Sequence, residues 1–191
     1  IGWNNYAEKG TIVFQSKYDA TEDNYYAQIS AYNSGEDSNY VWLITPSVYL
    51  SPGNVLNFRS RSGNTNANVM SLWISTDFSG DIAAANWTEL TFTKPTDNGS
   101  SFGDWQNSGS IALDSYTGSN VTFAFKYYGG DTISTVWQID DIIIVNKPIS
   151  LVSPASFTEE LVAGSSITKS FTISNIGGLI LSWDRNVKSF E

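Results

Sequence analysis

A chain of 191 residues, 41% hydrophobic and 14% aromatic, has material for one or two packed domains and needs neither metal nor disulfide merely to fold. It contains no cysteine and no histidine, which excludes disulfides, zinc sites of the usual Cys/His kind, Ser-His-Asp and Cys-His catalysis, and a histidine pH switch. The net charge of −9 sits mostly in residues 1–147, where 15 acidic side chains face 7 basic ones, and a surface of that sign repels phosphate backbones, which argues against nucleic acid and anionic membrane as partners.

Acidic loops of this kind either serve solubility alone or collect a hard cation such as Ca²⁺. No apolar run approaches the roughly 20 residues that span a bilayer, so no membrane insertion is expected. The absence of cysteine assigns no compartment. The chain starts at Ile1 and shows no signal peptide, as expected of a mature or excised piece of a longer protein.

Strand signals run the length of the chain, and helix signals are nearly absent, with one short turn near Asp81–Asn86. Strands are expected near Thr11–Gln15, Asn24–Ala31, Val41–Thr45, Val55–Arg61, Val69–Thr76, Thr88–Thr93, Gln106–Leu113, Val121–Tyr127 and Thr135–Val145. The stretches between them (YNSGEDSN, RSGNTNAN, TDNGSSFGD, YYGGDT) are rich in residues that tolerate positive φ and cap their own turns. Gly129-Gly130-Asp131 reads as such a turn and not as a phosphate loop, because no Lys-Ser/Thr and no helix follow it.

Side-chain alternation orients these strands. Met70, Leu72, Ile74 and Thr76 share one face, and Val69, Ser71, Trp73 and Ser75 the other; Val121, Phe123, Phe125 and Tyr127 also share a face. With no crossover helices, the expected fold is all-β, a jelly-roll-like two-sheet antiparallel sandwich over residues 1–147. Near Asn146–Pro148 the pattern changes. Residues 148–191 read as three strands, Ser156–Val162, Ile167–Ser174 and Leu179–Val187, a partial Ig-like domain that would have about 100 residues if whole. Its exposed apolar face is expected to pair with the first domain, with a second copy by self-association, or with a missing segment.

Taken in order, GW at 2–3, WLITP at 42–46, STDFSG at 75–80 and WQIDDI at 137–142 resemble the cleaved-adhesin or choice-of-anchor J domains of Bacteroidetes surface proteins, and more distantly MAM domains, over roughly residues 1–147. The resemblance implies a jelly-roll-like sandwich, an extracellular or outer-cell-surface location, and adhesion or carbohydrate-binding roles beside other domains. It also implies structural calcium, which relatives in gingipain adhesin regions hold on an Asp-rich N-terminal loop and the Asp pair of the last strand. Here that loop reads GWNNYAEKG and has no Asp-rich run. The SFTISNIGG stretch with Trp183 resembles Ig-like repeats that accompany such modules.

Asp140 and Asp141 stand inside an otherwise apolar strand, and adjacent strand residues point to opposite faces. A carboxylate turned toward a core must be paired or bound to a cation. Two readings follow: Ca²⁺ ligation, with Glu36 and Asp37 as partners, or a carboxylate held by N–H and hydroxyl donors. Opposite faces cannot flank one scissile bond as a glycosidase pair does at about 5–10 Å, so no enzyme is expected. Trp105, Tyr127, Tyr128 and Asp131, with Asn64, Asn66 and Asn98, could make a glycan platform; Trp3, Trp42, Trp73 and Trp137 are expected in the core. The function expected is a non-catalytic secreted or cell-surface adhesion module whose partner is a glycan or a host or extracellular protein; the alternative is a carbohydrate-binding module serving a glycan-degrading system.

Overall fold

The computed structural model describes residues 2–64, 69–96, 99, 101–178 and 180–184. In chain order the strands are β1 Asn4–Lys9, β2 Gln15–Asp19, β3 Asn24–Ile29, β4 Asn39–Ile44, β5 Val48–Tyr49, β6 Asn54–Gly63, β7 Met70–Ser75, β8 Thr88–Leu90, β9 Gln106–Asn107, β10 Ile111–Ala112, β11 Asn120–Gly129, β12 Val136–Asn146, β13 Ser150–Ser153 and β14 Thr172–Asn175. One short 3₁₀ turn covers Asp114–Tyr116.

These strands form the expected antiparallel two-sheet sandwich. The first sheet has the order β1-β4-β11-β7-β8, with β5 added on β11; the second has the order β10-β6-β12-β3-β2, with β9 added on β6. The chain shuttles between the sheets, so neighbours within a sheet come from distant parts of the sequence. The three longest strands, β6, β11 and β12, lie inside the two sheets, and their inward residues dominate the core.

The two-residue period decides what is inside. Val121, Phe123, Phe125 and Tyr127 of β11 all point inward, as do Met70, Leu72 and Ile74 of β7, Leu56 and Phe58 of β6, and Trp137 and Ile139 of β12. Phe58 meets Phe125 edge-on, with ring centroids 5.0 Å apart.

Tyr127 corrects an expectation. The sequence offers it as a ligand-binding aromatic, but it is fully buried, because its parity is that of Phe123 and Phe125. Its hydroxyl accepts the Ala31 N–H and donates to the Thr135 carbonyl, both at 3.0 Å. Burial pushes its pKa up from 10.0 to about 12, partly opposed by the Ala31 N–H. The folded value exceeds the unfolded one, so this contribution is complete below pH 10 and declines as pH rises toward 12. Tyr127→Phe removes both bonds to the backbone and should cost about 1–3 kcal/mol in urea unfolding at pH 7. The variant should also lose part of the wild-type decline in stability above pH 10; an unchanged alkaline profile would contradict the assignment.

Elsewhere the boundaries shift for local reasons. The strand expected at Thr11–Gln15 starts only at Gln15, because Gly10 turns the chain at φ +85 and residues 11–14 cross between the sheets. Asn5 pins that crossing by accepting the Phe14 N–H (3.1 Å) and donating to the Phe14 carbonyl (2.6 Å). Gln106–Leu113 is two short strands, divided at Gly109 with φ +76.

Beyond the sandwich, β13 and β14 pair antiparallel. The strand expected at Ser156–Val162 does not form, and of Ile167–Ser174 only the last residues join β14, because a strand persists only where a ladder partner takes its backbone groups. Of the strand expected at Leu179–Val187, residues 180–184 are not in a strand, and the others lie outside the described residues. Val162, Ile180 and Trp183 are exposed.

Candidate ligand-binding surfaces

The outer face of the second sheet carries a polar network. Register places Asp140 opposite Arg59, and Gln138 between Arg61 on β6 and Gln28 on β3. Arg59 bonds Glu22 and reaches Asp140 at 2.8 Å and Asp141 at 2.9 Å. Asn24 Nδ2 donates to Asp140 at 3.0 Å. Arg61 Nε donates to Gln138 Oε1, and Gln138 Nε2 donates to Gln28 Oε1 at 2.7 Å. Trp105 lies against both guanidinium groups, 4.6 Å from Arg59 and 4.5 Å from Arg61, with Tyr26 edge-on at 5.9 Å. Burial opposes the charge on Arg59, but the bonds to Glu22 and Asp140 and the field of Asp141 outweigh it, so its pKa lies above that of a free guanidinium.

The aspartate pair differs from expectation in one respect. A β-bulge between Asp140 and Ile143 puts Asp141 at φ +51, and both neighbouring carboxylates reach one guanidinium instead of opposite faces. Glu36 and Asp37 do not join them. Glu36 accepts the Thr11 N–H at 3.0 Å through its carboxylate and the Asp131 N–H at 3.1 Å through its carbonyl. The Asp37 carbonyl packs so closely on Gly130 that an added Cβ would lie 2.1 Å from it. The four-carboxylate calcium set is therefore not assembled, and the centre of the Asp140–Asp141 group is a guanidinium. Among the described residues, no group of three or more His, Cys, Asp or Glu is arranged to hold a metal ion.

The expected glycan residues also separate. Asp131 staples a loop by accepting from Ser34 Oγ (3.2 Å) and the Gly35 N–H (3.1 Å). Asn64 sits at φ +50 in the exposed turn after β6. Asn66 and Asn98 lie outside the described residues. Trp105 belongs to the arginine network, and Tyr128 to the other sheet.

On the outer face of the first sheet, Tyr128 joins a set of aromatics that sequence reasoning left in the core or did not single out. The ladder brings Tyr40 and Trp42 of β4, Lys126 and Tyr128 of β11, Ser71 and Trp73 of β7 and Glu89 of β8 to one surface. Tyr40 and Tyr128 pack at 5.1 Å; Trp42 packs on Trp73 at 6.3 Å and on Trp87 at 5.3 Å. Lys126 Nζ sits 4.5 Å from the Trp42 ring centroid and 3.6 Å from Glu8, which also accepts the Trp42 indole N–H at 2.8 Å. The Trp73 indole donates to Ser71 Oγ at 2.8 Å. A groove of about 330 Å³ opens here, lined by Ser71, Trp73, Glu89, Lys94, Lys126 and Tyr128 among others. The signal in the sequence was parity: Trp73 alternates in phase with Ser71 and Ser75, so its ring belongs to the polar face of its strand.

The family described as a domain of unknown function, DUF5017, matches residues 24–171. The chain belongs to the DUF5017 family. No curated protein matches this DUF5017 chain. Among solved structures, it is similar to the K1 cleaved adhesin domain of Lys-gingipain from Porphyromonas gingivalis W83, with 16% identity, 74% of this chain and 89% of that chain covered, and a TM-score of 0.50. The K3 cleaved adhesin domain of the same protein is 17% identical over 65% of this chain and 75% of that chain, with a TM-score of 0.42. A family 11 carbohydrate-binding module from Clostridium thermocellum, in complex with a mixed-linked tetrasaccharide, is 14% identical over 74% of this chain and 87% of its own, with a TM-score of 0.41. At such identity the K1 likeness speaks for the fold: DUF5017, in this chain, is an antiparallel two-sheet sandwich.

Proposed function

We propose that this chain is a non-catalytic, extracellular adhesion module that holds a glycan on the outer face of its first sheet. The observation that carries this reading is the groove where the rings of Trp73 and Tyr128 adjoin Lys126, Glu89 and Ser71. Ring faces cover the C–H faces of a pyranose, while neighbouring ammonium, carboxylate and hydroxyl groups bond its hydroxyls; a protein-binding patch would be drier at its centre. The sheet ladders hold these groups in fixed register, which limits the conformational entropy lost on binding. The non-catalytic part rests on the carboxylates: Asp140 and Asp141 are held by Arg59, and among the described residues Glu89 is the one carboxylate lining the groove. An adhesion role agrees with the name of the K1 domain, a cleaved adhesin domain, whose fold this chain shares.

The test is binding to a panel of immobilised oligosaccharides, followed by calorimetry on any ligand retained. Trp73→Ala and Tyr128→Ala should each weaken binding by about 30-fold or more, the scale of an aromatic hot spot. Tyr128→Ala should keep the wild-type unfolding midpoint within a few degrees, whereas Trp73→Ala, which also thins the packing on Trp42, should lower it and still leave the chain folded at the temperature of the binding assay. Retained affinity in both would overturn the assignment of the face, and release of shortened oligosaccharide from the unmodified protein would overturn the non-catalytic reading.

A further inference from the structure

At one edge of the sandwich, where β1 borders the first sheet and β2–β3 the second, the structure opens into a cleft of about 440 Å³. Ile142, only partly buried, belongs to its apolar lining. Its walls include the rings of Trp3 and Tyr25, and Asp140 and Asp141 are among its lining residues. Trp3 is 43% exposed and Tyr25 66% exposed, so two large rings face water at the mouth of a concave site. Trp3 stacks with Phe125 at 6.5 Å, and Tyr25 packs beside its cross-strand partner Tyr18 at 5.0 Å.

The charge of this site is one-sided. Among the described residues, no lysine or arginine lines the cleft. Arg59 bonds Glu22, Asp140 and Asp141 from outside the lining, and three carboxylates against one guanidinium leave a local net charge of −2. Aromatic faces attract cations, and carboxylates at the rim add to that field. The chain's overall charge of −9 draws cations toward it as well. The rim carboxylates already accept hydrogen bonds from Arg59, Asn24 and the Asp141 N–H. A cation that brings many N–H donors would compete for those lone pairs, whereas one with diffuse charge and methyl groups would not.

We propose that this cleft binds a small quaternary ammonium compound, its methylated cation held among Trp3, Tyr25 and the rim carboxylates and its apolar part against Ile142. This site is separate from the proposed glycan face and does not depend on it.

The experiment is a titration of the whole chain with choline, with its neutral isostere 3,3-dimethylbutan-1-ol, with the lysine derivative N-acetyl-lysine methylamide, and with calcium chloride, following the indole resonances by NMR. Choline should shift the Trp3 indole saturably, and the neutral isostere should bind at least tenfold more weakly. Trp3→Ala and Tyr25→Ala should each weaken choline binding at least tenfold, and Asp141→Asn severalfold, while unfolding midpoints stay close to wild type and binding at the Trp73 face is unchanged. Equal affinity for the neutral isostere, stronger binding of the lysine derivative, or saturation of the same resonance by calcium with no response to choline would each overturn the proposal.

Discussion

Arg59→Met should lower stability by about 3 kcal/mol in urea unfolding at pH 7, the scale for breaking a buried ion pair. Arg59 and Asp140 are 18% and 12% exposed, so neither is rescued by water when its partner goes. The substitution leaves Glu22, Asp140 and Asp141 close together with no cation, which adds like-charge repulsion to the lost bonds. It also removes one of the two guanidinium groups against Trp105. Arg59→Lys should recover only part of the loss, because one ammonium cannot reproduce the fork that spans Asp140 and Asp141. Adding Asp140→Leu to Arg59→Met should be less harmful than the single change, since an apolar pair avoids the stranded charge; a double-mutant cycle measures the difference. A loss below about 1 kcal/mol in Arg59→Met would mean that the network is screened like an ordinary surface pair.

Much of this architecture was legible in the sequence, and the illegible part has definite causes. The strand around WQIDDI and the inward set Val121, Phe123, Phe125 and Tyr127 follow from period-two alternation and were found in place. The same alternation puts Tyr127 in the core, because its register and not its place near a glycine turn decides its side. The bulge at Asp141 left no trace in the pattern, because a left-handed aspartate costs little and breaks no alternation. β1 went unseen because GWNNYAEKG is a polar edge strand, paired on one side only, with little apolar signal. The meeting of Trp105 with Arg59 and Arg61, or of Tyr128 with Tyr40, depends on strand order within a sheet, which no local pattern encodes.

Trp42→Ala should cost about 3–5 kcal/mol by urea unfolding, as much as a core truncation, even though Trp42 lies on the outside of its sheet. The indole is 4% exposed because a second apolar cluster has been built there. Trp73, Trp87, Phe78 and Ile82 surround it, and Lys126 covers its face. The roof over this cluster is the loop between β7 and β8, and Asp77 closes that loop. Its carboxylate accepts from Asn86 Nδ2 at 2.6 Å, from Ser75 Oγ at 2.7 Å and from the Asn86 N–H at 2.9 Å. Those bonds, the Asn86 side chain first, hold the Asp77 carboxyl below its ordinary 3.8. The folded value is the lower one, so this support is present above pH 3.8 and lost as pH falls through the depressed value. Acid should therefore loosen the Trp87 side of the cluster, and Asp77→Ala should reproduce that change in tryptophan fluorescence at neutral pH without unfolding the inner core. A loss below about 1 kcal/mol in Trp42→Ala would mean that the outer cluster is a surface covering and not a second core. A loss of the predicted size ties the rigidity of the ligand face to the same side chains that stabilise the sheet beneath it.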